Sequence, residues 1–465
     1  MKVLPNVKPT PEQLKVINDH QPGVAVIRGA AGSGKTTTAL LRFHFLVERW
    51  RGRRARLKQS APVRALVLTF NRTLRGYIQQ LASQTIKQGP DVQIEILTFG
   101  KWSQNRLNAT NMVEDDDRAE KIATYGAALK LDHAFLCDEV DYVLGRYLPQ
   151  NLNDYALAKR EGRGSKPRVE QQIRRRIISE VIAPYAKWKA QRKLTDWNDL
   201  AVKLAASTTS PVYDVVVIDE AQDFSANQVR AVQNHLAADH SATYILDAAQ
   251  RIYPRFFTWK EAGLAIPAGS YFRLNTNHRN TKQIATFATQ LLVGLDLTDD
   301  GTIPDLKQCK DDGELPCVIL GQFSAQMNWA IAQIKKLDLK NESVAFLHPK
   351  GGGWFRYHIQ ALKQFKLPYV HIAQKADWPQ GSENIGLSTL HSAKGLEFDH
   401  VFILGLNAEV APHGEDEETG FENLQRLLAM AVGRARKTVA MGFKANDAPP
   451  FMKLVKADTY KKVVL

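Results

Sequence analysis

The stretch Val24-Ala25-Val26-Ile27-Arg28-Gly29-Ala30-Ala31-Gly32-Ser33-Gly34-Lys35-Thr36-Thr37 decides the fold. Residues 24–27 are an unbroken β-branched and apolar run that predicts a buried strand, and the glycines after it predict a loop before helical periodicity resumes. Gly29, Gly32, Gly34, Lys35 and Thr36 fill every fixed position of the pattern GxxxxGK[ST]. Glycine lets the backbone curl so that successive N–H groups face one anion, at the positive end of the following helix. The loop is therefore expected to cradle the phosphates of ATP through Gly29, Ala30, Ala31, Gly32, Ser33, Gly34, Lys35, Thr36 and Thr37. Lys35 would meet the β- and γ-phosphates, and the Thr36 hydroxyl would ligate Mg2+.

A phosphate loop of this kind needs an acidic partner at the end of a neighbouring strand. Residues 215–218 are Val-Val-Val-Ile, and Asp219-Glu220-Ala221-Gln222-Asp223 follow. Asp219 is expected to hold the metal and Glu220 to accept a proton from the attacking water, a role that requires hydrogen-bond reach to that water. The plainer reading is that both carboxylates cap the next helix, where acids are favoured. The buried run before them and the phosphate loop upstream favour the metal site.

The same rhythm of short apolar runs between helical patterns recurs at residues 65–68, 94–97 and 244–246, and again at 344–347, 386–390, 401–404 and 439–443. Strands alternating with helices imply parallel sheets covered on both faces. The expectation is two α/β sheets in tandem, with a boundary near residue 268. Between 102 and about 190 the strand rhythm stops and helical patterns take over, with a polar loop at 161–166. The domain reading is thus 1–102 and 191–267 for the first α/β unit, 103–190 for a helical insertion in it, and 268–465 for the second. Arg51, Arg53, Arg54, Arg56 and Lys58 crowd residues 49–58, which read as a solvated surface loop in preference to a dedicated nucleic-acid contact.

Length and composition bound the answer. A chain of 465 residues, 44% hydrophobic and 24% charged, is that of an ordinary globular protein of several units. Its net charge of +14 favours a polyanionic partner, because lysines and arginines release counterions from phosphate backbones. Cys137, Cys309 and Cys317 form no CxxC pair, which argues for a reduced, cytoplasmic protein without structural zinc. The sequence has neither an apolar run long enough to span a bilayer nor a leader-like start, so no membrane association is expected.

Together, GAAGSGKT and DEAQD resemble the paired nucleotide motifs of superfamily 1 helicases of the UvrD, Rep and PcrA type, and further motifs fall in that family's order from residue 10 to about 443. The resemblance implies that both α/β units are RecA-like P-loop folds. Thr10-Pro11-Glu12-Gln13 resembles the Q motif, whose glutamine reads adenine, although Thr10 and Gln13 also suit a capping box. Phe70, Asn71 and Arg72, and then Thr98 and Phe99, resemble motifs Ia and Ib, which touch a single strand. Gln250 resembles the motif III γ-phosphate sensor. Tyr253 and Trp259 nearby are candidates for base stacking, with core packing as their plainer role. Asn277-His278-Arg279 resembles motif IV, in which His278 stands where a tyrosine stacks on adenine. Residues 387–398 are nearly letter-perfect as motif V and assign His391 to the strand and Gly395 and Glu397 to the nucleotide. Arg434, in Val432-Gly433-Arg434, takes the motif VI finger position, with Arg279 as the second finger.

The implied function is an ATP-dependent DNA helicase or translocase, which couples Mg-ATP hydrolysis to 3′–5′ movement on single-stranded DNA, with RNA not excluded. One departure bears on it. About 40 residues separate the 344–347 run from motif V, so the large 2B insertion of UvrD-type enzymes does not fit. A compact chain leaves a second reading open: a nucleic-acid-stimulated ATPase switch acting on a protein partner, for example a nuclease in a defence system. A P-loop kinase or transporter ATPase is disfavoured because motifs V and VI would then have no task.

Overall fold

The structure is a computed structural model. It describes residues 9–465 except 30–31, 70–74, 77, 80–88, 159–168, 208–211, 247–257, 265, 275–276, 278, 296–308, 310, 373–378, 380, 408–409 and 411–416, and the side chains of 268, 417–420 and 423. Ala30, Ala31, Phe70, Asn71, Arg72, Gln250, Tyr253 and His278 lie outside the described residues.

Among the described residues six parallel strands form the first sheet: β1 Gly23–Gly29, β2 Val63–Thr69, β3 Val92–Thr98, β4 Tyr213–Ile218, β5 Leu236–Leu246 and β6 Tyr271–Leu274, in the order β3-β2-β4-β5-β1-β6. Successive side chains alternate between its two faces. Val26, Leu66, Leu68, Val216 and Ile218 enter one apolar cluster with Phe99, Trp102 and Phe224. Ile27, Val67, Val215, Val217 and Ile245 enter another with Phe43, Leu46 and Val47 of the Lys35–Arg56 helix. Both faces are covered, so the central strands β1, β2 and β4 carry apolar runs without polar alternation.

Two features depart from the expectations above. The strand β6 lies beyond residue 268 yet pairs with β1, Val26 opposite Tyr271. Only Leu274 of its four residues is buried, so it lacks the apolar signature of a central strand. The basic segment is helix, since the Lys35–Arg56 helix runs through it. Three of its cations are held by ion pairs along the side. Arg51 pairs with Glu48 and Asp91, Arg53 with Asp239, and Arg54 with Asp214 at the start of β4. Those partners lie as far away as residue 239, beyond the range of local sequence reading.

Between the Phe99–Leu107 and Trp197–Ala206 helices, the inserted segment is helical and holds its own core of Ile122, Leu136, Val140, Val143, Ile177 and Val181. Its last long helix widens to π geometry over Ile177–Ile182 immediately before Pro184, whose ring and missing N–H cannot continue α-helical bonding.

The second sheet contains β7 Cys317–Leu320, β8 Val344–His348, β9 Tyr369–His371, β10 Ile385–Thr389, β11 Phe398–Ile403, β12 Ala435–Phe443 and β13 Lys461–Val464, all parallel, in the order β13-β7-β12-β11-β8-β10-β9. Residues 349–384, between β8 and β10, hold the Arg356–Gln364 helix and β9. The fold is thus two parallel α/β sheets in tandem with a helical insertion in the first. Among the described residues no helix is long and apolar enough to cross a membrane.

Candidate nucleotide site

The loop after β1 leads into the Lys35–Arg56 helix, whose N-cap, Gly34, makes no side-chain cap bond. A helix N-terminus whose N-cap brings no side chain leaves room for an anion at its first N–H groups. Gly34 has φ +74° and Gly32 φ +83°, the left-handed region. Space also demands glycine. A Cβ on Gly32 would run into the Asn277 side chain, and one on Gly34 would lie 2.7 Å from Gln13 Nε2.

Lys35 Nζ donates to Gly29 O at 2.7 Å, so the lysine folds back along the loop. Thr36 Oγ1 donates to Asp219 Oδ2 at 3.1 Å, which joins the phosphate loop to the acidic turn. Asp219 N–H in turn donates to Leu68 O at 2.9 Å and fixes the end of β4 against β2. Asp219 is 1% exposed, and burial together with the neighbouring Glu220 charge pushes its carboxyl up to about 7. Glu220 is also buried, at φ +53°, a strained conformation for a residue with a Cβ. Burial opposes its charge as well, but Lys394, Arg434 and Lys35 together outweigh burial and hold it below the usual carboxylate range. The environment thus separates two adjacent carboxylates by role. A hydroxyl and a buried carboxylate in need of positive charge suit a hard cation such as Mg2+.

Gln13 is occupied on both sides of its amide. Its Oε1 accepts from Thr10 N–H at 2.9 Å, closing the capping box, and its Nε2 donates to Ser33 O at 3.1 Å. The helix carrying it therefore supports the phosphate loop directly.

The second unit reaches the same place. Arg279 pairs with Glu397 and approaches Gly433 O at 3.5 Å. Asn280 Nδ2 donates to Gly433 O at 3.1 Å and to Ala435 O at 2.5 Å, bracing the turn that carries Arg434. Arg434 itself is buried, its Nε 3.3 Å from Met430 Sδ. Gly395 has φ +82° and bends the chain between Lys394 and Glu397. Lys394 Nζ stands 2.5 Å from Asp223 Oδ2 and 3.7 Å from Glu220 Oε2.

Residues 9–265 match the UvrD/REP helicase N-terminal domain, and residues 356–445 match the UvrD-like helicase C-terminal domain. The chain belongs to the UvrD/Rep helicase family. It is an ATP-dependent helicase, hence a hydrolase. This UvrD-like helicase is 24% identical over 478 residues to a probable DNA helicase of Mycoplasma pneumoniae, spanning 94% of this chain and 85% of that one. It is 20% identical to the ATP-dependent DNA helicase UvrD2 of Mycobacterium tuberculosis over 561 residues, 92% of this chain and 77% of the relative. That alignment exceeds the 465 residues here, so the relative carries segments that this helicase lacks. The ATP-dependent DNA helicase PcrA of Bacillus subtilis is 42% identical over 68 residues, 14% of this chain and 9% of that one.

The residues expected to touch a strand fare unevenly in this UvrD-like helicase. Thr98 caps the Phe99–Leu107 helix, accepting from Lys101 N–H at 3.2 Å. Phe99 is 4% exposed, wedged between Trp102 at 5.5 Å and Phe224 at 5.9 Å, so it is a core residue and unavailable for stacking. It begins a helix whose inner face it supplies, a burial that the Thr-Phe dipeptide does not announce. Trp259 is half-buried, edge-on against buried Tyr244 at 5.3 Å. His391 is exposed.

Sequence reading also passed over several side chains. Trp197, 42% exposed, closes over Gly100 so tightly that a Cβ there would lie 2.9 Å from its ring. Its signal was the Asp196–Asp199 capping box immediately around it. Trp354, 38% exposed, stacks on His348 at 5.3 Å and 20°. Lys394 and Asp223 sat inside recognised motifs without a role of their own.

Proposed function

We propose that this helicase hydrolyses Mg-ATP between its two sheets and uses the cycle to move 3′ to 5′ along single-stranded DNA. The observation that carries the reading is the contact of Lys394, from the second unit, with Asp223 and Glu220 in the acidic turn of the first. Cations of one unit border the carboxylates of the other, beside the phosphate loop, as a shared catalytic cleft demands.

Lys35 binds the β- and γ-phosphates once it releases Gly29 O. Thr36 and Asp219 hold Mg2+, which supplies charge neutralisation at the phosphates. Glu220, kept ionised by the surrounding cations, accepts the proton of the attacking water. Gln250 senses the γ-phosphate, and Arg434 and Arg279 stabilise charge on it, Arg279 after parting from Glu397. Gln13 and His278 border the adenine.

The strand crosses Phe70, Asn71, Arg72, Thr98, Tyr253 and His391, with exposed Trp197 and Trp354 added as stacking surfaces. Two relatives aligned over most of this chain are named as DNA helicases, which supports DNA as the track. The motif resemblance supports 3′–5′ polarity. The test is Mg-ATP hydrolysis with and without single-stranded DNA or RNA, followed by strand displacement from 3′- and 5′-tailed duplexes. Hydrolysis that rises with single-stranded DNA and displacement from the 3′-tailed duplex alone support the reading.

A further inference from the structure

We propose that Arg42 is a positioning residue of the nucleotide site: its buried guanidinium anchors the Pro11–Asn18 helix, whose Gln13 sets the aim of the phosphate loop. The proposal rests on the Mg-ATP hydrolysis proposed above.

The Pro11–Asn18 helix has eight residues and buries only Val16 and Ile17, while Leu14 is 42% exposed. A helix this short gains little from its own hydrogen bonds, so its place depends on how its ends are held. Thr10 and Gln13 close the capping box at its N-terminus. At its C-terminus the last carbonyls have no partner within the helix, and a cation is favoured there. Arg42 meets both needs. Its Nη1 donates to Val16 O at 2.6 Å and to Asp19 O, and its Nη2 donates to Asp19 Oδ2 at 3.2 Å. Its Nε donates to Thr243 Oγ1 of β5 at 3.2 Å, and the Phe272 ring of β6 lies 5.9 Å from the guanidinium carbon. Arg42 is 1% exposed. A charge buried this deeply is tolerated because its planar fork of donors reaches the helix end and the sheet at once.

This anchorage closes a ring. Arg42 stands about two turns beyond Lys35 on the Lys35–Arg56 helix. From Arg42 the contacts run through the Pro11–Asn18 helix to Gln13, whose Nε2 donates to Ser33 O at 3.1 Å, and return through the loop to Lys35. The C=O and N–H of one trans peptide point in opposite directions. Holding Ser33 O toward Gln13 therefore turns the Gly34 N–H away from that helix, toward the side on which the phosphates bind. A Pro11–Asn18 helix that drifts frees the Ser33–Gly34 peptide to rotate and removes one N–H from the anion site.

Full-length wild type, R42K, Q13A, R42K/Q13A, D19A and T243V would be compared by Mg-ATP turnover, by inhibition of that turnover with tripolyphosphate, and by thermal melting. R42K, which keeps the charge without the fork, should raise KM for ATP about tenfold with kcat within about twofold of wild type. The inhibition constant of tripolyphosphate, which has no base for Gln13 to read, should rise with it. Q13A should behave alike, and the double variant should be no worse than the worse single, because one break opens the ring. D19A, at a side chain 22% exposed, should move both constants the same way by about threefold. T243V removes a bond of the same guanidinium on the sheet side and should lower the melting temperature with KM unchanged. An unchanged KM in R42K and D19A, effects that multiply in the double variant, or a KM raised as far in T243V as in R42K would overturn the positioning role and leave Arg42 a core cation. A rise in KM without a rise for tripolyphosphate would move the effect to the base and overturn it too. A wild type without Mg-ATP turnover would bring down the underlying function and the positioning role with it.

Discussion

Thr36 Oγ1 donates to Asp219 Oδ2 at 3.1 Å, across the gap between the phosphate-loop helix and the end of β4. If this pair holds Mg2+, Asp219→Asn should lower Mg-ATP turnover by about two orders of magnitude or more. Metal-free nucleotide binding should stay within about threefold of wild type. Titration of a fluorescent ATP analogue with and without Mg2+ separates the two effects, and a variant that keeps its Mg2+ dependence would remove Asp219 from the metal.

Arg434 and Lys35 should fail differently. Finger arginines contribute about 10³–10⁵-fold to turnover, so Arg434→Ala should abolish measurable hydrolysis while ATP binding survives. Lys35→Ala should lose binding and hydrolysis together. Near-normal turnover in the Arg434 variant, measured by phosphate release, would displace the finger assignment.

Trp197 and Phe99 make a matched pair, one exposed and one buried. Trp197→Ala should weaken oligonucleotide binding by about 1–3 kcal/mol, the usual contribution of one stacked base. Phe99→Ala should instead cost about 3–5 kcal/mol of stability, with affinity per folded molecule little changed. Anisotropy and thermal melting of both variants check the assignment, and the opposite pattern would reverse it.

Acid should destabilise the second sheet through His358. Its ring is 1% exposed among Phe323 at 5.2 Å, Phe346 at 5.3 Å and Phe355 at 5.5 Å, and burial, aided by His348, pushes its pKa down from 6.5 to about 4. Between those values the unfolded chain binds the proton more readily. The stabilisation is therefore complete above pH 6.5, falls as pH drops, and levels off below about 4, for a loss of about 3 kcal/mol. The difference in urea midpoint between His358→Phe and wild type at pH 7.5 and pH 5 isolates this residue from the other buried histidines. An equal acid loss in both proteins would rule it out.

How far the sequence could be read depended on the range of the interactions. Val24, Val26 and Ile27 announce β1 because a strand covered on both faces must be apolar throughout, and the glycines after it answer to local backbone and space. The strand β7 and the C-terminal β13 went unread, since β7 is only half buried at both ends and Lys461 and Lys462 stand exposed in β13. Arg53 and Arg54 looked like a solvated loop because their partners, Asp239 and Asp214, are distant in sequence. At the site, Asp219 and Thr36 were legible as motif letters, and the structure adds their 3.1 Å contact. The tie between Lys394 and Asp223 depends on how two separately encoded units meet, which no local pattern carries.

If ATP turnover in the cleft drives movement on a single strand, hydrolysis must depend on how much strand is available. The most direct measurement is the steady-state hydrolysis rate of the full chain as a function of single-stranded DNA length, with strand displacement from 3′-tailed and 5′-tailed duplexes read in parallel. A rate that climbs with strand length to a plateau, together with displacement from the 3′-tailed duplex alone, is the predicted result. Hydrolysis that is indifferent to the strand and its length would rule out ATP-driven movement along it.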